Sequence, residues 1–214
     1  MSLSLTKKTL SEAAVELANR DKDLSKIFES NGVPPLWARV PGFSTLIRII
    51  LEQQVSLASA SSMYHRISAN VVPFTPERFL ALGTSYLRSL GVTRQKALYC
   101  INVAESVLGG RIDLGALSRM DDTTAANTLT QINGVGPWTA DIYLLMALRR
   151  PDVWPCGDRA LAITVRRVKG LNEDPSPSEL SIVAEAWRPF RSVAARMLWQ
   201  HYLSEKNQSG AEIR

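Results

Sequence analysis

The chain has 214 residues, a formal net charge of +5, 45% hydrophobic residues and two cysteines. That length buries a full core as one domain or two small intimate ones, and the positive balance suits an anionic partner without deciding the fold. Cys100 and Cys156 form no Cys-x-x-Cys and only His65 and His201 accompany them, which argues against a disulfide framework or zinc cluster and fits a reducing, intracellular setting.

At the N-terminus, Met1-Ser2-Leu3-Ser4-Leu5-Thr6-Lys7-Lys8 lacks an apolar signal core, and no uncharged run approaches the ~18 residues that a membrane span requires. No membrane partner is expected. Apolar residues then recur at the 3.6-residue period with breaks at glycine and proline, which predicts helices over 9–20, 22–30, 43–56, 57–71, 76–82, 93–108, 121–132, 137–149, 159–169, 178–187 and 190–204. Val71-Val72-Pro73-Phe74 and Arg111-Ile112-Asp113-Leu114 read as short linkers, Asn172 to Ser178 as an exposed loop, and the tail beyond Leu203 as frayed. Strand-like alternation is nearly absent and no solenoid-period repeat occurs, so the fold class is all-α.

The most informative stretch runs from Leu129 to Ala140. Asp121 and Asp122 open a helix whose Ala125, Ala126, Leu129 and Ile132 share an apolar face, and it stops at Asn133-Gly134. Gly134-Val135-Gly136 forms a turn with two residues able to take positive φ, and Pro137 sits at a first helical position, where a missing N–H is tolerated. The second helix carries Ala140, Tyr143, Leu144 and Ala147 on one face and ends at Arg149-Arg150-Pro151. In this helix-hairpin-helix pattern the N–H groups of Gly134, Val135, Gly136 and the next helix's first turn, through Thr139, point toward a site that favours a phosphate. Read alone, Gly-Val-Gly-Pro is also an ordinary tight connection between helices.

Asp158 follows a proline-rich break. Pro155 and Gly157 precede it while Leu161, Val165 and Val168 continue a helical face, so the residues themselves read as a helix N-cap. The positive end of a helix is also a favourable place for a carboxylate. Trp37, Trp154 and Trp187 read as core, as tryptophans at helical spacing usually do; the same reading is open for Trp138 and Trp199. Gln53-Gln54 reads as a solvated helix end, and Lys96 and Lys169 as surface lysines.

Five stretches in order resemble the alkyl-base, 3-methyladenine branch of the helix-hairpin-helix base-excision DNA glycosylases, over roughly 35–203. They are Trp37 with Pro41-Gly42-Phe43 and the helix Leu46 to Ser56 with its glutamine pair; Gly91-Val92-Thr93-Arg94-Gln95-Lys96-Ala97; the hairpin; Arg150 to Asp158; and Trp187-Arg188-Pro189-Phe190-Arg191-Ser192-Val193-Ala194 with Trp199. The chain lacks room for the N-terminal β-domain of some relatives, and lacks the four C-terminal cysteines of the iron–sulfur ones, so no cluster is expected. Arg159 stands where an apolar residue is common.

The resemblance implies two helical subdomains flanking an active-site cleft: a central helical barrel over 40–150 with the hairpin at 121–149, and a discontinuous cluster of 1–39 with 151–214 that carries the aspartate. It implies a monofunctional DNA glycosylase, working as a monomer on double-stranded DNA inside the cell, that flips out alkylated, cationic purines and hydrolyses the N-glycosidic bond. Asp158 would be the catalytic carboxylate, Trp138, Trp199 and Gln53 the base pocket, and Gln54 the wedge in the duplex. Trp138 holds the position of the lysine nucleophile of strand-cleaving relatives, and an indole forms no Schiff base. No cofactor is expected beyond a structural Na+ or K+ on the backbone carbonyls of Thr130, Ile132 and Val135. The alternatives are a non-catalytic helix-hairpin-helix DNA-binding protein, or a glycosylase for deaminated or oxidised purines.

Overall fold

The structure, a computed structural model, describes residues 4–211, with side chains described through 206; the segment 1–3, part of the expected signal-free N-terminus, and 212–214 of the expected frayed tail lie outside the described residues. Eleven α-helices and one short 3-10 turn, Ala116–Arg119, make up the regular structure of the described residues. The all-α expectation holds. No helix among them is long and apolar enough to cross a membrane. The chain divides into two compact units, one of Arg39–Leu148 and the other joining the residues up to Ala38 with those from Arg149 onward.

The first unit holds α3 (Phe43–Glu52), α4 (Leu57–Ser68), α5 (Pro76–Ser89), α6 (Arg94–Leu108), α7 (Asp122–Thr130) and α8 (Pro137–Met146). Its core is α3. Leu46, Ile47, Ile49, Ile50 and Leu51 are all fully buried, so this helix packs on α4, α6 and α8 at once and keeps a single part-exposed polar stripe of Ser44, Arg48 and Glu52. At about 1.5–3 kcal/mol for each buried aliphatic side chain, these five residues outweigh any local helix propensity in fixing the element. Phe43 meets Phe79 edge-on, with centroids 5.5 Å apart, and joins α5 to the same core.

The second unit holds α1 (Lys7–Arg20), α2 (Lys22–Asn31), α9 (Arg159–Lys169), α10 (Pro177–Glu185) and α11 (Arg191–Ala211). Leu10, Ala13, Ala14 and Leu17 form the buried stripe of α1, and every residue from Ser192 to Trp199 on α11 is buried. Asp21 caps α2 by accepting the N–H groups of Asp23 and Leu24, and its other oxygen accepts from Lys169 Nζ and Trp187 Nε1, both at 3.0 Å. Lys169 also pairs with Asp23 at 2.9 Å. It is therefore a clasp between α2 and α9 rather than a surface lysine.

Several expected boundaries shift for identifiable reasons. The α5 pattern predicted to stop at 82 continues to Ser89, because Gly83, at φ 68, kinks the helix without ending it. The α3 helix stops at Glu52 rather than 56, since Gln53 turns extended (ψ 126) and Gln54 is left-handed (φ 53). The second hairpin helix closes at Met146 rather than at the arginine pair; Arg149 is left-handed and Arg150 buried. The helix α11 runs on to Ala211, past the expected fray point at Leu203.

Candidate active site

In the first unit, α7 and α8 form the hairpin. Asp121 caps α7 by accepting the Thr124 N–H at 2.9 Å, and Ala125, Leu129 and Ile132 are buried beneath it. Gly134 takes φ 101, and a Cβ there would lie 2.3 Å from Cγ of Tyr99, so only glycine fits the turn on both counts. Gly136 differs from expectation. It is extended (φ −84, ψ 177), is the N-cap of α8, and faces open space where a Cβ would stand. Among the described residues, α1, α2, α4 to α7, α9 and α10 begin under a capping side chain, whereas α8 and α3 start at glycines with none. The Gly42 N–H that opens α3 donates to the Tyr143 hydroxyl at 2.9 Å, within this unit; α8 starts at Gly136, which brings no capping side chain. That is the arrangement an anion needs.

The glutamine pair divides in two. Gln53 points its carboxamide at the hairpin, donating to Gly134 O at 3.1 Å and to Thr139 Oγ1 at 2.8 Å, while Gln54 is exposed in its left-handed conformation. Thr139, expected at the DNA backbone, is buried and its hydroxyl is the acceptor for Gln53. Lys96, read as a surface lysine, is buried, and its Nζ donates to Leu51 O at 2.7 Å, closing the end of α3 just before the glutamines. Burial pushes its ammonium below the usual lysine range, although it lies near Cys100. Trp138 sits half-buried in the first turn of α8. The carbonyls of Thr130, Ile132 and Val135 lie along the turn, that of Ile132 accepting the Val135 N–H at 2.9 Å.

In the second unit, Asp158 is the N-cap of α9 and 9% exposed. One of its oxygens, Oδ1, accepts the backbone N–H of Leu161 at 3.0 Å and the indole N–H of Trp199 at 3.1 Å. The tryptophan thus holds the carboxylate directly, a contact that sequence spacing could not give. Trp37 packs edge-on against Trp199, with centroids 6.4 Å apart at 62°. Read from the sequence as core, it is only half-buried and adopts φ 45, a conformation costing a bulky residue about 1–3 kcal/mol. Trp154 and Trp187 are core, at 5.4 Å from each other. Arg159 is exposed on the first turn of α9.

The approach to Asp158 is clamped to α11. Arg191 donates to both oxygens of Asp152, at 2.9 and 3.1 Å, and to its backbone carbonyl at 2.7 Å. The Ser192 hydroxyl bonds both the N–H and C=O of Val153, each at 2.9 Å. Such bidentate, charge-assisted bonding fixes geometry as well as adding energy. Within the Arg191-Ser192 signature, these are the residues that hold the loop.

A family profile covers residues 47–189, from α3 past Asp158 to the turn before α11. The chain belongs to the HhH-GPD superfamily of base excision DNA repair proteins. Within this superfamily it is similar to the DNA-3-methyladenine glycosidase of Bacillus halodurans, at 32% identity, a TM-score of 0.73 and 88% of either chain covered. It is 27% identical over 84% of its length to a DNA-3-methyladenine glycosylase of Bacillus subtilis, of which it covers 68%, and it covers 64% of another Bacillus subtilis relative. It shares its fold with the 3-methyladenine DNA glycosylase Mag1 of Schizosaccharomyces pombe, solved with abasic DNA, at a TM-score of 0.83, 24% identity and 88% and 95% coverage of this chain and that one.

Proposed function

We propose that this protein is a monofunctional DNA glycosylase that removes alkylated, cationic purines from double-stranded DNA and leaves an abasic site. The observation that carries the reading is Asp158, a carboxylate seated on the N-terminus of α9 and held by the Trp199 indole, in a chain of a base excision repair superfamily. Alkylation at a ring nitrogen makes the base a good leaving group. What remains for the enzyme is to extrude the nucleotide and to stabilise positive charge as it develops on the sugar. An ionised Asp158 facing the sugar supplies that stabilisation and orients a water, as carboxylates do in glycoside hydrolysis.

The hairpin supplies the grip. The uncapped first turn of α8 and the open face of Gly136 receive a phosphate with no base contact, and Gln53 keeps the turn in shape through Gly134 and Thr139. The carbonyls of Thr130, Ile132 and Val135 are neutral oxygen donors suited to a monovalent cation on the same turn. Gln54, exposed and left-handed, is the wedge that fills the gap in the duplex. An indole face attracts a cationic base by roughly 0.5–2 kcal/mol over a neutral one, which is the selectivity assigned to Trp138 and Trp199. Trp138 offers no amine, so the strand stays intact after the base leaves.

The test incubates methylated and unmethylated duplexes with the protein and measures free bases, abasic sites and strand breaks. The reading expects 3-methyladenine and 7-methylguanine to be released with abasic sites in equal number and no breaks until alkali or heat is added. Binding of both duplexes with no base released would overturn it in favour of a non-catalytic DNA-binding module. Release of hypoxanthine or oxidised purines alone would reassign the lesion.

A further inference from the structure

We propose that Trp37 is a positioning residue for base excision: it braces the Trp199 indole so that its N–H stays on Asp158. The inference rests on the reading of Asp158 as the catalytic carboxylate. Trp37 is not a core tryptophan. Trp187 and Trp154, which are, stand at 2% and 7% exposure, whereas Trp37 is half-buried and carries a left-handed φ of 45. A bulky residue in that conformation is uncommon, and such strain persists only where the surroundings impose it, often beside a functional group.

Here the surroundings are identifiable. Pro34 and Pro35 restrict the chain ahead of it. The Leu36 carbonyl is taken by Nε of Arg196 at 3.0 Å, and Nη1 of the same guanidinium donates to Ser192 O at 2.9 Å. Arg196 is fully buried on α11, one turn before Trp199. A costly charge has thus been placed in the interior to pin the backbone at Trp37. What this achieves is the edge-on contact with Trp199 at 6.4 Å. A tryptophan turns about two side-chain torsions, and a bond to an acceptor weakens steeply as its N–H swings away, so a ring wedged on one side keeps the N–H aimed at Oδ1. Arg196 fixes Trp37, Trp37 fixes Trp199, and Trp199 fixes the carboxylate.

The experiment compares single-turnover release of 7-methylguanine from duplex DNA by wild type, Trp37→Ala, Trp37→Phe, Trp37→Gly, Trp199→Phe and Trp37→Ala/Trp199→Phe. Misplacing a reacting group by an ångström costs up to about 10²-fold, so Trp37→Ala is expected to slow release by roughly 10- to 100-fold with DNA affinity unchanged. Trp37→Phe keeps an aromatic edge and recovers most of the rate. Glycine accepts a left-handed φ without strain, so Trp37→Gly melts no lower than Trp37→Ala yet is as slow. In the Trp199→Phe background, which lacks the N–H, Trp37→Ala has no further effect. A wild-type rate for Trp37→Ala, or equal slowing in both backgrounds, would overturn the proposal. A readout independent of activity is hydrogen exchange at the Trp199 indole N–H, assigned by its loss in Trp199→Phe: faster exchange in Trp37→Ala supports the brace, and unchanged exchange overturns it even if the wild type releases no base.

Discussion

Replacing Gly134 by alanine separates the two hairpin glycines by the reason each is there. At Gly134 the new side chain meets a backbone at φ 101 and a Tyr99 ring whose Cβ and Cγ would lie 2.4 and 2.3 Å away. The backbone strain costs about 1–3 kcal/mol and the forced repacking about 1–3 kcal/mol more, since the ring root rather than a flexible tip must move. At about 2–4 °C per kcal/mol for a chain of this size, Gly134→Ala should melt roughly 5–20 °C below wild type. Gly136→Ala meets open space at an ordinary φ and loses only the preference of glycine over alanine at an N-cap, about 0.5–1 kcal/mol. Its main effect should fall instead on DNA affinity, because the added methyl stands where the proposed grip would receive a phosphate. The assay is thermal unfolding alongside fluorescence-anisotropy binding to a duplex. Equal melting losses for the two variants, or no loss for Gly134→Ala, would refute the assignment; so would an undiminished loss when Gly134→Ala is added to Tyr99→Gly, measured against Tyr99→Gly alone, since only removal of the Tyr99 Cβ together with its ring removes the clash.

Other expectations follow from the clasp and the α3 cap. Burial pushes the Asp21 carboxyl upward, but the bonds from Trp187, Lys169 and the N–H groups of Asp23 and Leu24 bring it below the usual aspartate range, while Asp23 and Asp21 hold the Lys169 ammonium above the usual lysine range despite its burial. The aspartate contribution is therefore present above about pH 4 and lost as pH falls through its depressed value; the lysine contribution is present below about pH 10.5 and lost as pH rises through its raised value. Denaturant midpoints measured for wild type and Lys169→Met should differ most between those limits and converge outside them; a constant difference at every pH would contradict the clasp. Lys96→Met removes the charged bond to the Leu51 carbonyl, worth about 1.5–3 kcal/mol, but also relieves a buried ammonium, so a net loss of about 1 kcal/mol in urea unfolding is expected, and a gain in stability would overturn its role as a cap.

Several helix starts were legible to within a residue where a side chain of the right kind begins the helix: Asp21, Thr75, Thr93, Asp121 and Ser176 all cap as their residue types suggest, whereas α1, expected from 9, starts at Lys7 under Thr6. The end of α3 was not, because the signal that stops it, Lys96, lies far away in sequence and looks like any solvated lysine. Asp158 shows the reverse case: its N-cap reading holds in the structure, and that geometry is compatible with the catalytic role proposed for it. Trp37 was misread because tryptophan is usually core and nothing local announces a left-handed φ; the adjacent prolines were the one available hint. The Arg191–Asp152 and Ser192–Val153 clamps were within the recognised signature, yet their partners emerge only once α11 is laid against the loop.

The most direct test of the account is Asp158→Asn. Asparagine retains an oxygen for the Leu161 and Trp199 N–H groups and nearly the same volume, so α9 stays capped and the melting temperature should hold. The charge is lost, and one carboxylate oxygen becomes an amide NH2. Single-turnover release of 7-methylguanine should fall by roughly 10²–10³-fold, the range for removing one preorganised charge stabiliser, while affinity for the duplex is unchanged. Release at the wild-type rate by the folded, DNA-bound variant would contradict the claim that Asp158 carries the chemistry.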